Sequence, residues 1–443
     1  MASMSDKLAS NMDFSAFSKA KDLQKRLLFT LFALIVFRLG TYIPFPGINP
    51  TVLTEFFSEN SGGLLGMFNA FTGGALSRMS ILALNIMPYI SASIIVQLAA
   101  SVIPSLMALK KEGESGFRKI NQYTRYLTVL ITVVQAFFMA RALENANAVI
   151  MPSHFMFELS TVVSLLGGTM FVVWLGEQIT ARGVGNGASL IIMTGIVAGI
   201  PEALVRVFEE NRVGALSTPL LLFLMLMTFA IIYIVVFIER AQRRIPIQYP
   251  KRQMGNRMMQ GANSHLPLKI NPTGVMPPIF ASAILAIPVA IVQFSSKEST
   301  SDFVNGLAVA LNHGNWLYLI TFAVLVFFFT FFYTGIQSNP TETAENLKKQ
   351  GGFVAGIRPG KNTAEYLDYV ITRLTLLGAV YLTILCVLPE FLISQVGIPF
   401  VLGGTTLLIV VSVIMETFSQ IQSHLIAHRY EGLIKKAKLK GRL

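Results

Sequence analysis

The sequence predicts an all-α polytopic membrane protein built as a duplicated bundle of five plus five helices. Three observations predict it. First, apolar residues fill 53% of the 443 positions and charged residues only 13%, with a mean hydropathy of +0.60, a balance too apolar for a soluble domain. Second, the apolar residues gather in ten runs near the ~20 residues that a helix needs to cross a bilayer. None shows the two-residue alternation of a barrel strand, so each run has to satisfy its own backbone as a helix. Third, parts of the first half return in the second. NIMPYISASII at 85–95 comes back as GVMPPIFASAI at 274–284, with Met87-Pro88, Ile90, Ala92-Ser93 and Ile95 matched by Met276-Pro277, Ile279, Ala281-Ser282 and Ile284 at one constant offset. GASLII at 187–192 is likewise matched by GTTLLI at 404–409. Each member of these pairs stands five apolar runs from its mate, the pattern of a duplicated membrane bundle.

In chain order, residues 1–26 are polar and carry no cleavable signal, so the first run is expected to serve as signal and anchor together. The runs lie near 27–42, 81–103, 123–140, 157–175, 188–207, 219–238, 274–294, 317–336, 374–388 and 400–418. They divide the chain into an N-terminal half, 27–207, a C-terminal half, 208–418, and a tail, 419–443. Between the first two runs, SGGLLGMFNAFTGGALSRM at 61–79 holds an apolar core, 64–71, too short to span, with glycine hinges at both ends. It either re-enters the membrane where protein or a water-filled cavity surrounds it, or lies on the outer surface as an interfacial helix. The loop 239–271 alternates Ile245, Ile247, Tyr249 and then Leu266, Leu268, Ile270 around a Gly- and Asn-containing turn, which predicts a β-hairpin standing clear of the membrane. The loop 337–373 starts helix-like with TETAENLKK and then turns at Gly351-Gly352 and at Ile357-Arg358-Pro359-Gly360.

Basic residues flank the runs unevenly. Most of the 35 Lys and Arg fall on one side, leaving Arg38, Arg78, Arg141, Arg206, Arg212 and Lys297 on the other side or within the first run. Positive charge accumulates on the cytosolic side of inner-membrane proteins, so both termini are expected in the cytosol and the net charge of +12 is a cytosolic surplus. Topology alone explains many of these charges. The two long loops exceed what topology needs, and basic loops of this kind suit ribosomal RNA phosphates or an acidic motor-protein surface.

Little in the sequence points to catalysis or cofactor binding. The single Cys386 excludes an intrachain disulfide, and no Cys/His cluster, Ser/His/Asp order, P-loop or paired carboxylate emerges. His424 and His428 have metal-compatible spacing but no third ligand nearby, and His154, His265 and His313 stand alone in loops. Gly183, Gly185 and Gly187 lack a preceding strand and are expected to form a tight turn opening the fifth helix. Charges within the runs are expected to be nearly absent, with Arg38 near the end of the first and Glu416 near the end of the tenth. An ion-coupled transporter normally keeps ionisable groups at the midplane. Isoleucines stand there instead: Ile86 and Ile90 share one helix face, and the repeats supply Ile192, Ile279 and Ile409. Such side chains either form a constriction that seals by excluding water or pack as ordinary core.

GGALSRMSILALNIMPYISASIIVQL, KKEGESGFRKINQYTRY, WLGEQITARGVGNGASLII, NPTETAENLKKQGGFVAGIRPG and GGTTLLIVVSVIME together resemble the bacterial SecY family of protein-conducting channels, over nearly the whole chain. The resemblance implies two pseudo-symmetric, inverted-repeat halves facing each other like a clamshell around an hourglass pore, with a short re-entrant plug helix near 62–79. It implies a pore ring of Ile86, Ile90, Ile192, Ile279 and Ile409, and a plug carrying Leu64, Leu65, Met67, Phe68, Phe71 and Leu76. The second, third, seventh and eighth helices would form a lateral gate, with Ala92, Ser93, Gln97, Ala281 and Ser282 along it; small residues there permit close yet separable packing. Arg243, Arg244, Lys251 and Arg252 in the first loop, and Arg358, Pro359 and Gly360 in the second, would dock the SecA ATPase or the ribosome. SecE and SecG would be membrane partners, unfolded preproteins and signal sequences the cargo, and no cofactor is implied. The expected function is that of the channel subunit of a Sec translocon in the bacterial inner membrane, with no enzymatic activity of its own. The competing expectations are a secondary transporter of small solutes built on its own inverted repeats and a purely structural scaffold.

Overall fold

A computed structural model describes residues 21–49, 52, 69, 71–145, 149–150, 153–214, 217–249, 252–254, 257–259, 263–294, 315–396 and 403–440. A helix stands at each of the ten predicted positions: α1 (Lys21–Gly40), α2 (Met87–Val102), α4 (Glu114–Asn145), α5 (His154–Arg182), α6 (Gly187–Arg212), α7 (Thr218–Arg240), α8 (Met276–Phe294), α9 (Trp316–Gln337), α11 (Lys361–Val396) and α12 (Gly404–Lys440). Two short helices, α3 (Pro104–Lys111) and α10 (Pro340–Lys349), lie in the connections. By length and composition seven helices can cross a membrane, or eight if α2 and α3, bent by 101° across Ile103, form one broken span. Outside that count stand α1, with Lys21, Asp22, Lys25 and Arg26 near its start and Arg38 near its end, and α8, which is apolar.

Several hydroxyls in the bundle bond to their own helix, as an apolar surrounding favours. Thr124, Thr128 and Thr132 along α4, and Thr330 and Thr334 along α9, each donate to the carbonyl one turn back. Large apolar side chains such as Leu28, Leu31, Phe32, Ile35 and Leu39 of α1 point outward, where a bilayer would cover them.

Several predicted boundaries shift. The second run starts at 81, yet α2 begins at Met87, and 73–86 is folded as turns. Both repeat helices therefore begin at the same place, Met87-Pro88 and Met276-Pro277, with proline where a helix start tolerates a missing N–H. The ninth run extends backward, because α11 starts at Lys361, so the preceding loop ends there and not at Arg373. Gly183 to Gly187 forms the expected turn: Gly185 has φ +91°, and the Asn186 side chain caps α6 by accepting from the Ala188 N–H at 3.1 Å. The same turn ties distant elements, with Val184 N–H bonded to Thr30 of α1 and Gly185 N–H to Gln420 of α12.

Glycine marks the second repeat pair. A Cβ on Gly187 would collide with the carbonyl oxygen of Gly176 in α5, and one on Gly404 with that of Leu385 in α11. The equivalent glycines thus let the fifth and tenth helices start in direct backbone contact with the helices before them. Each is followed five residues on by an isoleucine of the predicted ring, Ile192 and Ile409.

Outside the bundle, β1 (Gln242–Gln248) pairs antiparallel with β4 (Asn263–Lys269), with Ile245 opposite Leu266. Two short strands, β2 (Arg252–Met254) and β3 (Arg257–Met259), pair beyond them. The hairpin is as expected. What the sequence did not indicate is that β5 (Phe353–Val354), from the other long loop, adds to β1 as a third strand in the order β4-β1-β5. Ile245, Ile247, Ala344, Leu347, Val354, Ala364 and Leu367 make one core under this sheet, so the two loops are a single folded unit seated on the start of α11.

Candidate functional site

The five predicted isoleucines come from four separate places in the chain and all belong to the main hydrophobic core of the bundle, which also takes in residues of α1, α5, α7, α9 and α11. Ile86, Ile192, Ile279 and Ile409 are buried, and Ile90 packs against them half-exposed. Ile86 is not inside α2 but caps it, with φ −94° and ψ 2°. The Ile90 N–H still bonds the Ile86 carbonyl at 3.1 Å, so the two residues stand one turn apart. The repeats explain the convergence, since Ile90 and Ile279 occupy one equivalent position and Ile192 and Ile409 the other.

Of the predicted plug residues, Leu64, Leu65, Met67 and Phe68 lie outside the described residues. Phe71 and Leu76 are both buried but part company: Phe71 joins the isoleucine cluster, whereas Leu76 joins a second core with Phe45, Met79, Ala136 of α4 and Phe157 of α5. The segment between them is held tightly. Arg38 Nη1 donates to the Gly73 carbonyl at 2.8 Å, Asn85 Nδ2 donates to the Phe71 carbonyl at 3.2 Å, and any Cβ on Gly195 of α6 would meet that same carbonyl. Met79 (φ 41°) and Asn85 (φ 50°) adopt the left-handed region, which costs a non-glycine residue of order 1–3 kcal/mol. Asn85 Oδ1 is buried without a partner. This strained, partly unsatisfied segment sits directly before the first ring residue.

Along the predicted gate, Ala92, Ala281 and Ser282 are buried and Ser93 is half-buried. Ser93 Oγ accepts from Gln97 Nε2 at 3.0 Å, and Ser282 Oγ donates to the Ile279 carbonyl at 2.9 Å. Both hydroxyls are thus engaged within their own helices, and among the described side chains no hydrogen bond joins α2 to α8. Opposite the seam, Phe280 stacks edge-on against Phe329 and Tyr333 of α9, at 5.8 and 5.7 Å, fastening α8 to α9.

On the sheet unit, Arg243 and Arg244 project from β1 into solvent. Arg358 and Pro359 are exposed on a turn bounded by Gly356 (φ 83°) and Gly360 (φ 105°), and Thr363 Oγ1 donates to the Arg358 carbonyl at 2.9 Å. Arg252 opens β2, and Lys251 lies outside the described residues.

Charges are more numerous than expected: Arg125, Glu158 and Glu202 fall within three of the runs, and Glu177 and Glu239 just beyond two. Glu158, in the first turns of α5, lies 2.7 Å from Arg141 of α4. Near the other end of the same helix pair, Glu177 takes a bidentate contact from Arg125, at 2.9 and 2.7 Å. Glu202 lies in α6, and Glu239, in the last turn of α7, accepts from Asn271 Nδ2 at 2.8 Å. Residues 52 and 32 positions apart form these last two pairs, so no local pattern could have announced them.

Comparison with known proteins bears on the family and the fold. A family model described as SecY matches residues 80–418. The protein translocase subunit SecY of Vibrio cholerae is 51% identical over 431 residues, covering 96% of this chain and 97% of that protein. That of Escherichia coli K12 is 49% identical over 434 residues, covering 97% and 98%. A solved structure described as that of a protein conducting channel aligns with a TM-score of 0.62 at 17% identity, covering 91% of this chain and 92% of that one. Sec61 in the canine ribosome-channel complex aligns with a TM-score of 0.60 at 16% identity, again over 91% and 92%. With half its residues identical to those relatives across nearly its whole length, and with the helical fold of the solved channels, the chain belongs to the SecY family.

Proposed function

We propose that the chain is the channel subunit of a Sec preprotein translocase in the bacterial inner membrane, passing unfolded polypeptides across and releasing apolar segments sideways into lipid. The reading is supported by the placement of Ile86, Ile90, Ile192, Ile279 and Ile409, drawn from both repeats, in the same hydrophobic core as Phe71. These isoleucines act as the ring that seals the resting pore, and the 62–79 segment as its plug. The halves 27–207 and 208–418 are the two jaws. The seam of α2 and α4 against α8 and α9 is the lateral gate. Both termini face the cytosol, on the side of the sheet unit. The names of the relatives, protein translocase subunit SecY, favour this function, and the solved neighbours described as ribosome complexes favour a ribosome as docking partner. SecA docks on the same face and supplies the driving energy, while SecE and SecG complete the membrane complex. A small-solute transporter would need polar groups at mid-membrane, whereas the paired carboxylates described above stand toward helix ends. Purified protein in proteoliposomes, with its membrane partners and a motor ATPase, should move an unfolded preprotein inward only when ATP is present. Transport of small solutes without any of preprotein would overturn the proposal.

Arg358 tests the docking face separately. Its exposed place on a Gly/Pro turn suits a charge-assisted contact with an acidic partner. Arg358→Glu should insert and fold like the parent, because exposed substitutions usually change stability by no more than ~0.5 kcal/mol. Motor-driven preprotein export should nevertheless fall by at least about tenfold, since reversing a contact charge loses the attraction and adds repulsion. Export at the parental rate would remove Arg358 from the docking face.

A further inference from the structure

The turn at 183–187, between α5 and α6, is held by side chains from both halves of the chain. A turn that opens a helix leaves backbone N–H groups without helical partners, and here side chains accept from four of them. Val184 N–H donates to Thr30 Oγ1 of α1 at 3.0 Å, and Gly185 N–H to Gln420 Oε1 of α12 at 2.9 Å. Gly187 N–H donates to Thr180 Oγ1 of α5 at 2.9 Å, and Ala188 N–H to the Asn186 cap. Thr30 is itself fixed, because its hydroxyl donates to the Arg26 carbonyl at 3.0 Å while it accepts from the turn. Packing closes the same junction. Leu23 and Leu27 of α1, Val184 of the turn, and Ile421 and Leu425 of α12 form one small apolar cluster. A Cβ on Gly183 would collide with the Thr30 hydroxyl, and one on Gly185 would lie 3.1 Å from the hydroxyl of Thr417 in α12.

This junction ties α1 and α5 of the first half to α12 of the second, at the opposite end of α6 from the link that the chain itself makes. α6 is 26 residues long, or ~39 Å at 1.5 Å per residue. Its start sits in the junction, and its far end, Arg212, leads through a short connection to α7 at Thr218. Two bodies joined at two points rotate about the line through those points, and here that line runs along α6. The α2–α8 seam lies away from it: α6 packs on α1, α5 and α12, whereas α8 packs on α2, α4 and α9. No hydrogen bond joins α2 to α8 among the described side chains, so the halves are tied at the back and merely packed at the seam.

We propose that the 183–187 turn is a pivot between the halves, with Thr30 and Gln420 as its positioning residues, and that the halves turn about α6 when the α2–α8 seam parts. Points on an axis keep their separations, and points far from it do not. The junction therefore stays hydrogen-bonded in the resting and the open channel alike, and opening strips no acceptor from the buried N–H groups of Val184 and Gly185. This deepens the channel function proposed above and rests on the assignment of the α2–α8 seam to the gate.

A staple distinguishes a pivot from a seam. Cysteines replace Val184 and Ile421, or Leu27 and Leu425, choosing the pair whose Cα atoms fall within the ~4.4–6.8 Å that a disulfide spans. Oxidation should leave preprotein export by the cross-linked proteoliposomes at the parental rate, whereas a disulfide across α2 and α8 should arrest it. Arrest by the junction staple would mean that the halves part there, and would overturn the proposal. Loosening the junction gives the complementary result. Thr30→Val with Gln420→Leu leaves two N–H groups of the turn without acceptors, and should slow cross-linking of a cysteine pair across α2 and α8 in resting proteoliposomes by about fivefold or more, because the halves lose their common register. Thr30→Ser with Gln420→Glu keeps both acceptors and should cross-link like the parent. A role in folding alone would lower the amount of protein in the membrane while the remainder cross-linked at the parental rate, and that result also overturns the pivot. Should the loosened variant fail to insert, the junction staple decides alone, since it keeps Thr30 and Gln420. If the parent exports no preprotein, the failure falls on the channel function, and resting cross-linking, which needs no transport, still decides the pivot.

Discussion

Serine at Ile86, Ile90, Ile279 and Ile409 together should turn a tight resting channel into one that leaks ions, while the bundle still assembles. An ion entering a waist lined by isoleucine loses its water shell and finds no oxygen to replace it, and stripping a charge into an apolar medium costs tens of kcal/mol in the limit. Even partial dehydration therefore seals the path. Four hydroxyls would offer hydration along the constriction and lower that barrier. Ile86 and Ile409 are closely surrounded, at 1% and 2% exposed. Single replacements should do much less, because the remaining ring and the plug segment still obstruct. The quadruple variant should also accept preproteins with weak signal sequences, since a destabilised closed state needs less binding energy to open. Planar-bilayer conductance decides the matter. An increase of at least about tenfold over the parent is expected, each tenfold corresponding to ~1.4 kcal/mol off the barrier. If the quadruple variant stays as tight as the parent even with its plug deleted, these isoleucines are packing and nothing more.

Much of this architecture was legible because the repeats leave identical marks at distant places. Met87-Pro88 and Met276-Pro277 start equivalent helices, and Gly187 and Gly404 start another equivalent pair in backbone contact with their predecessors. Hydrophobic runs place helices well, but they do not reveal where a helix begins within an apolar stretch. Residues 81–86 are as apolar as the helix that follows, yet the left-handed Met79 and Asn85 fold them as turns around buried polar groups. The alternation of Ile245, Ile247, Leu266 and Leu268 announced a hairpin, since period two is a local signal. The addition of Phe353-Val354 to it was hidden, because two residues carry no period and the pairing spans about a hundred positions. Glu239 was overlooked for a related reason. Beside Arg240 at the end of an apolar run it reads as a solvated flank, and only the fold brings Asn271 to it. Local composition thus pointed to the isoleucines and to the hairpin loop, whereas the polar contacts between distant elements are tertiary.

Locking α2 to α8 should abolish transport, the other large effect expected of this chain. In the proposed gate the small side chains allow close approach, Ser93 Oγ accepts from Gln97 one turn on, and Ser282 Oγ donates to the Ile279 carbonyl of its own helix. The aromatic contacts of Phe280 with Phe329 and Tyr333 hold α8 to α9, so the two would swing as a pair. Cysteines at Ser93 and Ser282, or at Ala92 and Ala281, test this, choosing the pair whose Cα atoms fall within the ~4.4–6.8 Å that a disulfide spans. The native Cys386 is buried in α11 and should not compete. Oxidation should arrest preprotein export almost completely in the cross-linked fraction, and reduction should restore it. Graded spacers sharpen the test: a short linker should block both export and lateral release, whereas a long flexible one should restore export first, since a translocating extended chain needs a narrower opening than a helix leaving sideways. Undiminished export through a verified disulfide would mean that chains pass without α2 and α8 separating, and the seam would then be ordinary helix packing.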